Sequence, residues 1–368
     1  MKNAHDRRSF PAESELALAA AAVRAGALVV FPTETVYGLG ADAGSEEAVR
    51  RIFEAKGRPA DNPLIVHVLS IEQIDGLVDR LSPAAEALLS TFSPGPLTLV
   101  LPAARSVPRA VTAGLDTVAV RIPSHPVARA LLERAAVPIA APSANRSGEP
   151  SPTTVAMARA SLGDAVSHYL NGGPCEVGLE STVATVEGSR VVVLRPGAVS
   201  ARMMRDAVPG VEVEYSTALS GDESPRSPGL KHRHYRPRAR VVLFAQERRS
   251  ATVELAELLA VTDDEGPVTV GVIGVGDECD TIARCVRRGV AALGGPLRAG
   301  RQGSEPSVRI VERRAPSLEE YARYLYRWFG EMDEAGAALV VAHLPPERGI
   351  GRALRDRLER ATGGAVIS

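Results

Sequence analysis

Short apolar runs alternating with amphipathic stretches fill the first 215 residues, stop, and resume after about residue 240. No other feature constrains the fold of this 368-residue chain as strongly. Such alternation specifies strands and helices in turn, and so a mixed α/β domain. Residues 28–31, 64–69, 97–101, 118–122, 139–141, 182–186 and 191–194 are predicted strands. Ser45, followed by Glu46 and Glu47, caps a helix whose Val49, Ile52 and Phe53 share one face and which ends at Gly57. Ser82 and Pro83 open a second helix, with Leu88, Leu89 and Phe92 turned inward. In the interruption, Ser, Pro and Gly give way to K-H-R-H-Y-R-P-R-A-R, the composition of a linker. Residues 1–215, 216–240 and 241–368 are therefore expected to be a catalytic-sized α/β domain, a linker, and a smaller Rossmann-like domain. The last has strands near 241–244, 268–273 and 339–342, and helices near 253–259, 318–332 and 353–361. Its Gly271, Gly274 and Gly276 follow G-x-x-G-x-G rather than G-x-G-x-x-G and read as a plain turn.

Composition narrows the function. With 45% apolar and 24% charged residues and a formal charge of -1, the chain has no overall attraction for nucleic acid or anionic membrane, so any RNA contact must be local. No apolar run reaches the roughly 18 to 20 residues of a membrane span, and the N-terminus lacks a signal-peptide core, so a cytoplasmic location is expected. Cys175, Cys279 and Cys285 show no C-x-x-C spacing and suggest neither a disulfide framework nor a zinc site. Only Lys2, Lys56 and Lys231 are lysines among 43 basic residues, which draws attention to Lys56 and Lys231 as places where a compact ammonium is wanted.

Polar residues concentrate at predicted strand ends. F-P-T-E-T-V-Y-G-L-G (31–40) runs from a strand into hydroxyls, a carboxylate and glycines, which suits either a binding loop or a polar turn whose Thr33 and Thr35 bond backbone. In K-G-R-P-A-D-N-P-L-I-V-H (56–67), Lys56 and Arg58 lie close enough to suggest an anion, with Asn62 held between prolines and His67 interrupting a strand. Arg121 sits inside the apolar run 118–122 and must meet a protein or substrate carboxylate, because an unpaired buried guanidinium is costly. P-S-A-N-R-S-G-E-P-S-P (142–152) places Ser143, Asn145, Ser147 and Ser151 in a loop after a strand, where small donors can cradle phosphate. G-L-E-S-T-V (178–183) and L-R-P-G (194–197) add Ser181 and Arg195. No Walker motif occurs.

In this order, with P-G-P-L-T-L-V-L, A-V-R-I-P and S-P-G-L-K-H-R-H-Y-R-P, these segments span nearly all of residues 30–237. Together they resemble the threonylcarbamoyl-AMP synthase family of the YrdC-like superfamily, in its two-domain form. The resemblance implies a twisted α/β sheet with a basic cavity in which L-threonine, bicarbonate and ATP form threonylcarbamoyl-AMP and pyrophosphate, for N6-threonylcarbamoyladenosine modification of tRNA. It places threonine at Thr33, Thr35, His67, Arg121, Ala141 and Ser181, with Arg121 on the carboxylate. ATP is placed at Lys56, Arg58, Asn62, Thr117, Ser143, Asn145, Ser151 and Arg195, and at His234 and Tyr235 of the linker. Lys56, Arg58 and Arg121 would carry the catalysis, and Mg2+ would come with the nucleotide. The implied partners are the tRNA threonylcarbamoyl transferase machinery downstream, with tRNA contact open and no membrane role. The stretch 227–237 would form a lid, although His232 and Arg236 stand where relatives commonly carry a tyrosine and a small residue. The alternatives are a non-catalytic double-stranded-RNA-binding module, and a hydrogenase-maturation carbamoyltransferase whose extra modules and cysteines this chain lacks.

Overall fold

A computed structural model describes residues 10–216, 237–246, 249–260, 268–292, 308–363 and 366–367. The chain divides into two compact units, Met1–His232 and Arg233–Ser368. The first unit runs α1 (Glu13–Arg24), β1 (Val29–Phe31), β2 (Gly38–Asp42), α2 (Glu46–Lys56), β3 (Ile65–His67), α3 (Pro83–Phe92), β4 (Leu97–Pro102), α4 (Arg109–Thr112) and β5 (Thr117–Arg121). It continues through α5 (Pro126–Ala135), β6 (Ile139–Ala140), α6 (Val155–Leu162), β7 (His168–Tyr169), β8 (Thr182–Glu187), β9 (Arg190–Arg195), α7 (Ala201–Ala207) and β10 (Glu212–Tyr215). Among the described residues these strands form one mixed sheet, ordered β10-β9-β8-β4-β5-β3-β6-β2-β1-β7.

The cap chemistry read from sequence is in place. The Ser45 side chain accepts the Ala48 N–H, Gly57 closes α2 in the left-handed region at φ 58°, and Ser82 accepts the Ala85 N–H ahead of Pro83. Ile52, Leu88 and Leu89 are fully buried against Val66, Leu99, Val120 and Ala184, which line one face of the sheet.

The opposite face is divided. On β1 and β6 it is covered by α1 and α5, through Leu16, Ala20, Val23, Leu131 and Leu132 packed on Val29, Phe31 and Ile139. On β3, β4, β5 and β8 it holds only a small apolar cluster of Ile65, Val100, Ala119 and Val183. Beyond that cluster runs a polar row.

The end of the stretch 31–40, read as a loop or turn, instead enters strand β2, antiparallel to β1. Its glycines make this possible. A Cβ on Gly40 would lie 2.7 Å from both Phe31 Cε1 and Ile139 Cγ2, so only glycine lets the Phe31 ring lie across the strand.

The second unit contains β11 (Arg240–Phe244), α8 (Arg249–Ala260), β12 (Val268–Val275), α9 (Glu278–Ala292), β13 (Val308–Ala315), α10 (Leu318–Glu334), β14 (Leu339–His343), α11 (Ile350–Thr362) and β15 (Val366–Ile367). Its sheet, ordered β13-β12-β14-β11-β15, is parallel throughout. Helices α8 and α9 pack on the Val270 and Val272 face, while Met332 of α10 closes on Gly271 from the other, as in doubly wound folds.

Substituting Gly40 by Ala should cost about 1–3 kcal/mol, the usual penalty of overpacking. Gly40→Ala combined with Phe31→Leu should recover part of that loss. Urea denaturation of the two variants checks this, and an undiminished midpoint for Gly40→Ala would contradict the packing described.

Candidate active site

Strand register assembles the polar row. His67 of β3 pairs with Arg121 of β5, Arg121 with Thr98 of β4, Thr98 with Val183 of β8, and Val183 with Arg195 of β9. Partners in register project to the same face, so the row is a consequence of sheet pairing and needs no loop to gather it.

Arg121, 3% exposed, receives its anion from within the protein. Its Nη2 donates to Glu34 Oε1 at 2.6 Å, Nη1 to Thr35 Oγ1 at 2.9 Å, and Nε to the Gly95 carbonyl at 3.3 Å. The second Glu34 oxygen accepts the Ser124 N–H at 3.1 Å. Burial alone would raise the Glu34 carboxyl, but the Arg121 charge and hydrogen bond outweigh it and hold the group below the usual glutamate value.

Thr33 takes the structural role. Its hydroxyl donates to the Val36 carbonyl at 2.6 Å and accepts from the Thr35 and Val36 N–H groups at 3.2 Å, which locks the 32–37 loop. With that proton committed, the 2.9 Å contact between the two hydroxyls makes Thr35 the donor to Thr33, leaving Thr35 Oγ1 to accept from Arg121.

Further along the row, Ser181 Oγ lies 2.7 Å from Thr98 Oγ1 and accepts from Arg195 Nη2 at 3.2 Å, while Arg195 also donates to the Ser181 carbonyl. A Cβ on Gly197 would strike the Thr182 backbone, so the L-R-P-G glycine permits the close approach that seats Arg195 against Ser181. Ser151 donates to Glu180 Oε1 at 2.5 Å. Thr117 sits on the same face of β5 as Arg121, four residues and about 13 Å away. Ala141, just past β6, is buried and donates its N–H to the Ile65 carbonyl.

The expectation for Lys56 needs correction. Instead of offering its ammonium to an anion beside Arg58, it is a buried side chain in the last turn of α2, donating to the carbonyls of Ser143, at 2.5 Å, and Asn145. Burial, then the nearby Arg58 charge, hold its amine well below the usual lysine value, with Glu149 offsetting part of the shift. Lys56 thus pins the 142–147 loop, whose Ser147 N–H returns to the Lys56 carbonyl at 2.8 Å. Asn145 Nδ2 donates to the Arg146 and Glu149 carbonyls, while its buried Oδ1 has no partner among the described residues. Arg58 folds back onto the Asn62 and Pro63 carbonyls, and Asn62 is fully buried.

Sequence reasoning passed over Glu34, Thr98 and Glu180. Each had a signal: an acid in a loop preceding a strand, a lone hydroxyl within L-T-L-V-L, and an acid beside the chosen Ser181. The predicted His234, Tyr235 and Lys231 lie outside the described residues. The three cysteines are free and buried, and no group of three or more His, Cys, Asp or Glu able to hold a metal occurs among the described residues.

His67 is buried edge-to-face against Phe31, with no hydrogen-bond partner for Nδ1 among the described residues. Burial, helped by the Arg121 charge and partly offset by Glu34, pushes its imidazole down to about 3. Below the ordinary value of 6.5 the unfolded chain therefore takes up a proton that folded His67 refuses. Stability should fall by about 1.4 kcal/mol per pH unit from this residue as pH drops from 6.5 toward 3. Denaturation midpoints across that window should show a steeper decline in the parent than in His67→Asn; parallel declines would mean that His67 is not held neutral.

A family model described as "Telomere recombination" matches residues 21–197, and one described as "Threonylcarbamoyl-AMP synthase, C-terminal domain" matches 199–363. The threonylcarbamoyl-AMP synthase of Pyrococcus abyssi is 40% identical, with 96% of each chain covered. That of Bacillus subtilis is 37% identical over 96% of this chain and 95% of its own. The crystal structure of P. abyssi Sua5 complexed with L-threonine superposes with a TM-score of 0.81 at 37% identity, covering 98% of this chain and 97% of that one. With both halves of the chain matched and a relative 40% identical across 96% of each chain, this protein belongs to the threonylcarbamoyl-AMP synthase family, in its two-domain form.

Proposed function

We propose that L-threonine, bicarbonate and ATP react on the polar row of the first unit's sheet, with the threonine carboxylate on Arg121 and the nucleotide held by the Lys56-pinned loop and its neighbours. Family membership makes the chain a nucleotidyltransferase that forms threonylcarbamoyl-AMP for tRNA modification, and gives no support to an RNA-binding module without catalysis. The observation that carries the placement is a pair of buried polar atoms, His67 Nδ1 and Asn145 Oδ1, with no partner among the described residues. Buried polar groups are rarely left so, and substrate atoms would complete them.

In this reading the threonine amine attacks the bicarbonate carbon, water leaves, and a carbamate oxygen then attacks the α-phosphorus as pyrophosphate departs. The chain's part is alignment and charge placement, with no protein nucleophile. A neutral His67 can hydrogen-bond substrate without adding charge. Asn, Ser and Arg side chains suit phosphate oxygens, and Mg2+ would ride on those phosphates and offset their charge. The tRNA threonylcarbamoyl transferase machinery would consume the product.

Incubation with ATP, L-threonine, bicarbonate and Mg2+, followed by mass spectrometry, should yield threonylcarbamoyl-AMP and pyrophosphate only when all are supplied. Arg121→Lys keeps the charge but not the fork and should lower the rate roughly 10–100-fold. Absence of product from folded, ATP-binding protein would contradict the proposal; salt-dependent RNA binding without product would favour the RNA-binding alternative.

A further inference from the structure

The Arg121 guanidinium carries five N–H groups in a fixed plane. Three are committed, to Gly95, Thr35 and Glu34, so the orientation of the rest is set by protein groups before any substrate arrives. Of those three partners only Glu34 is charged. It is itself anchored, through the Ser124 N–H, to the turn that follows β5. Its far side is not tightly packed: a cavity of about 170 Å³ lies there, lined by Glu34, Ser124, His125, Val127, Gly172 and Glu176 among others. The hydrogen bonds to Arg121 and Ser124 therefore set the orientation of this carboxylate.

We propose that Glu34 is a positioning residue for the synthase reaction, fixing the plane of the Arg121 guanidinium and offsetting its charge so that the substrate carboxylate is held in one orientation. The proposal rests on the assignment of Arg121 to the threonine carboxylate. Two effects of Glu34 can be separated. Its charge competes with an incoming carboxylate, so removing it strengthens the pull of Arg121 on any anion. Its geometry sets the angle at which the threonine amine meets bicarbonate, so removing it slows the chemistry. A packing role alone would produce neither split.

Steady-state kinetics on Glu34→Gln, Glu34→Asp and Glu34→Ala test this, with folding checked by circular dichroism. Glu34→Gln should lower kcat roughly 10–100-fold, leave KM for L-threonine unchanged or lower, and leave KM for ATP unchanged. Glu34→Asp keeps the charge but falls one methylene short of spanning Arg121 and Ser124; it should lose kcat as well, whereas a purely electrostatic role would leave it like the parent. Glu34→Ala opens the side-chain space into the adjoining cavity, and sodium formate should restore part of its kcat where sodium chloride at the same concentration does not. An unchanged kcat in Glu34→Gln overturns the proposal. So does a joint rise in both KM values with the fall in kcat, which marks a structural role. Equal effects of formate and chloride on Glu34→Ala also count against it. A separate control is L-threoninamide, which lacks the carboxylate and should be a poor substrate for the parent enzyme. Equal use of the amide and L-threonine would sink the Arg121 assignment, and this proposal with it; failure of Glu34 alone would leave that discrimination intact.

Discussion

The ion pair between Arg121 and Glu34 is the interaction on which the first unit's site depends. Each side chain is almost completely buried, and neither could be there without the other. Withdrawing two charges from water costs several kcal/mol per ion, and removing one partner of such a pair typically costs about 3–5 kcal/mol because the other is left uncompensated. The pair joins two segments 87 residues apart in sequence, the loop after β1 and the end of β5. With Thr33 locking that loop from inside, the guanidinium occupies a defined place in the polar row that borders the small apolar cluster of Ile65, Val100, Ala119 and Val183.

The electrostatics of the site follow from that choice. The Arg121 charge is matched by Glu34, His67 is neutral, and burial disfavours the charge on Lys56. In the proposed reading, a site so nearly balanced would leave the large negative charge of a nucleotide to Arg58, Arg195, backbone donors and any Mg2+ bound with ATP. Such an arrangement suits adenylation, in which charge moves from the attacking oxygen to the leaving pyrophosphate and fixed dipoles stabilise it without reorganising. The second unit is a doubly wound parallel sheet in which Gly271 and Gly274 lie within β12 rather than in the plain turn read from the sequence; Gly271 admits the Met332 side chain, and only Gly276, at φ 50°, lies past the strand's end.

Much of the fold was legible because its signals are local. The caps at Ser45 and Ser82, the left-handed Gly57 and the apolar strands all appear where the sequence places them, with strand 64–69 shortened to Ile65–His67. What escaped depends on distant neighbours. β2 carries two glycines, and only the Phe31 ring lying across it reveals why. β13 is an edge strand rich in arginine, so its burial is too slight to leave an alternating pattern. In α1, an alanine-rich run buries Leu16 and Val23 yet leaves Leu18 exposed, which blurs its apolar face. The site divides in the same way. Residue types and motifs singled out Arg121, His67 and Ser181, but the pairing of Arg121 with Glu34 and the burial of Lys56 beneath the 142–147 loop are tertiary facts. The sequence stated that Arg121 must meet a carboxylate; it did not say which.

The most direct test of the account is a crystal structure of this chain with L-threonine and a non-hydrolysable ATP analogue. The threonine carboxylate should lie on the two Arg121 N–H groups not used by Gly95, Thr35 and Glu34, with the Glu34 contact intact and a substrate atom within hydrogen-bond reach of His67 Nδ1. Threonine bound away from Arg121, or bound only with the Arg121–Glu34 contact broken, would contradict it.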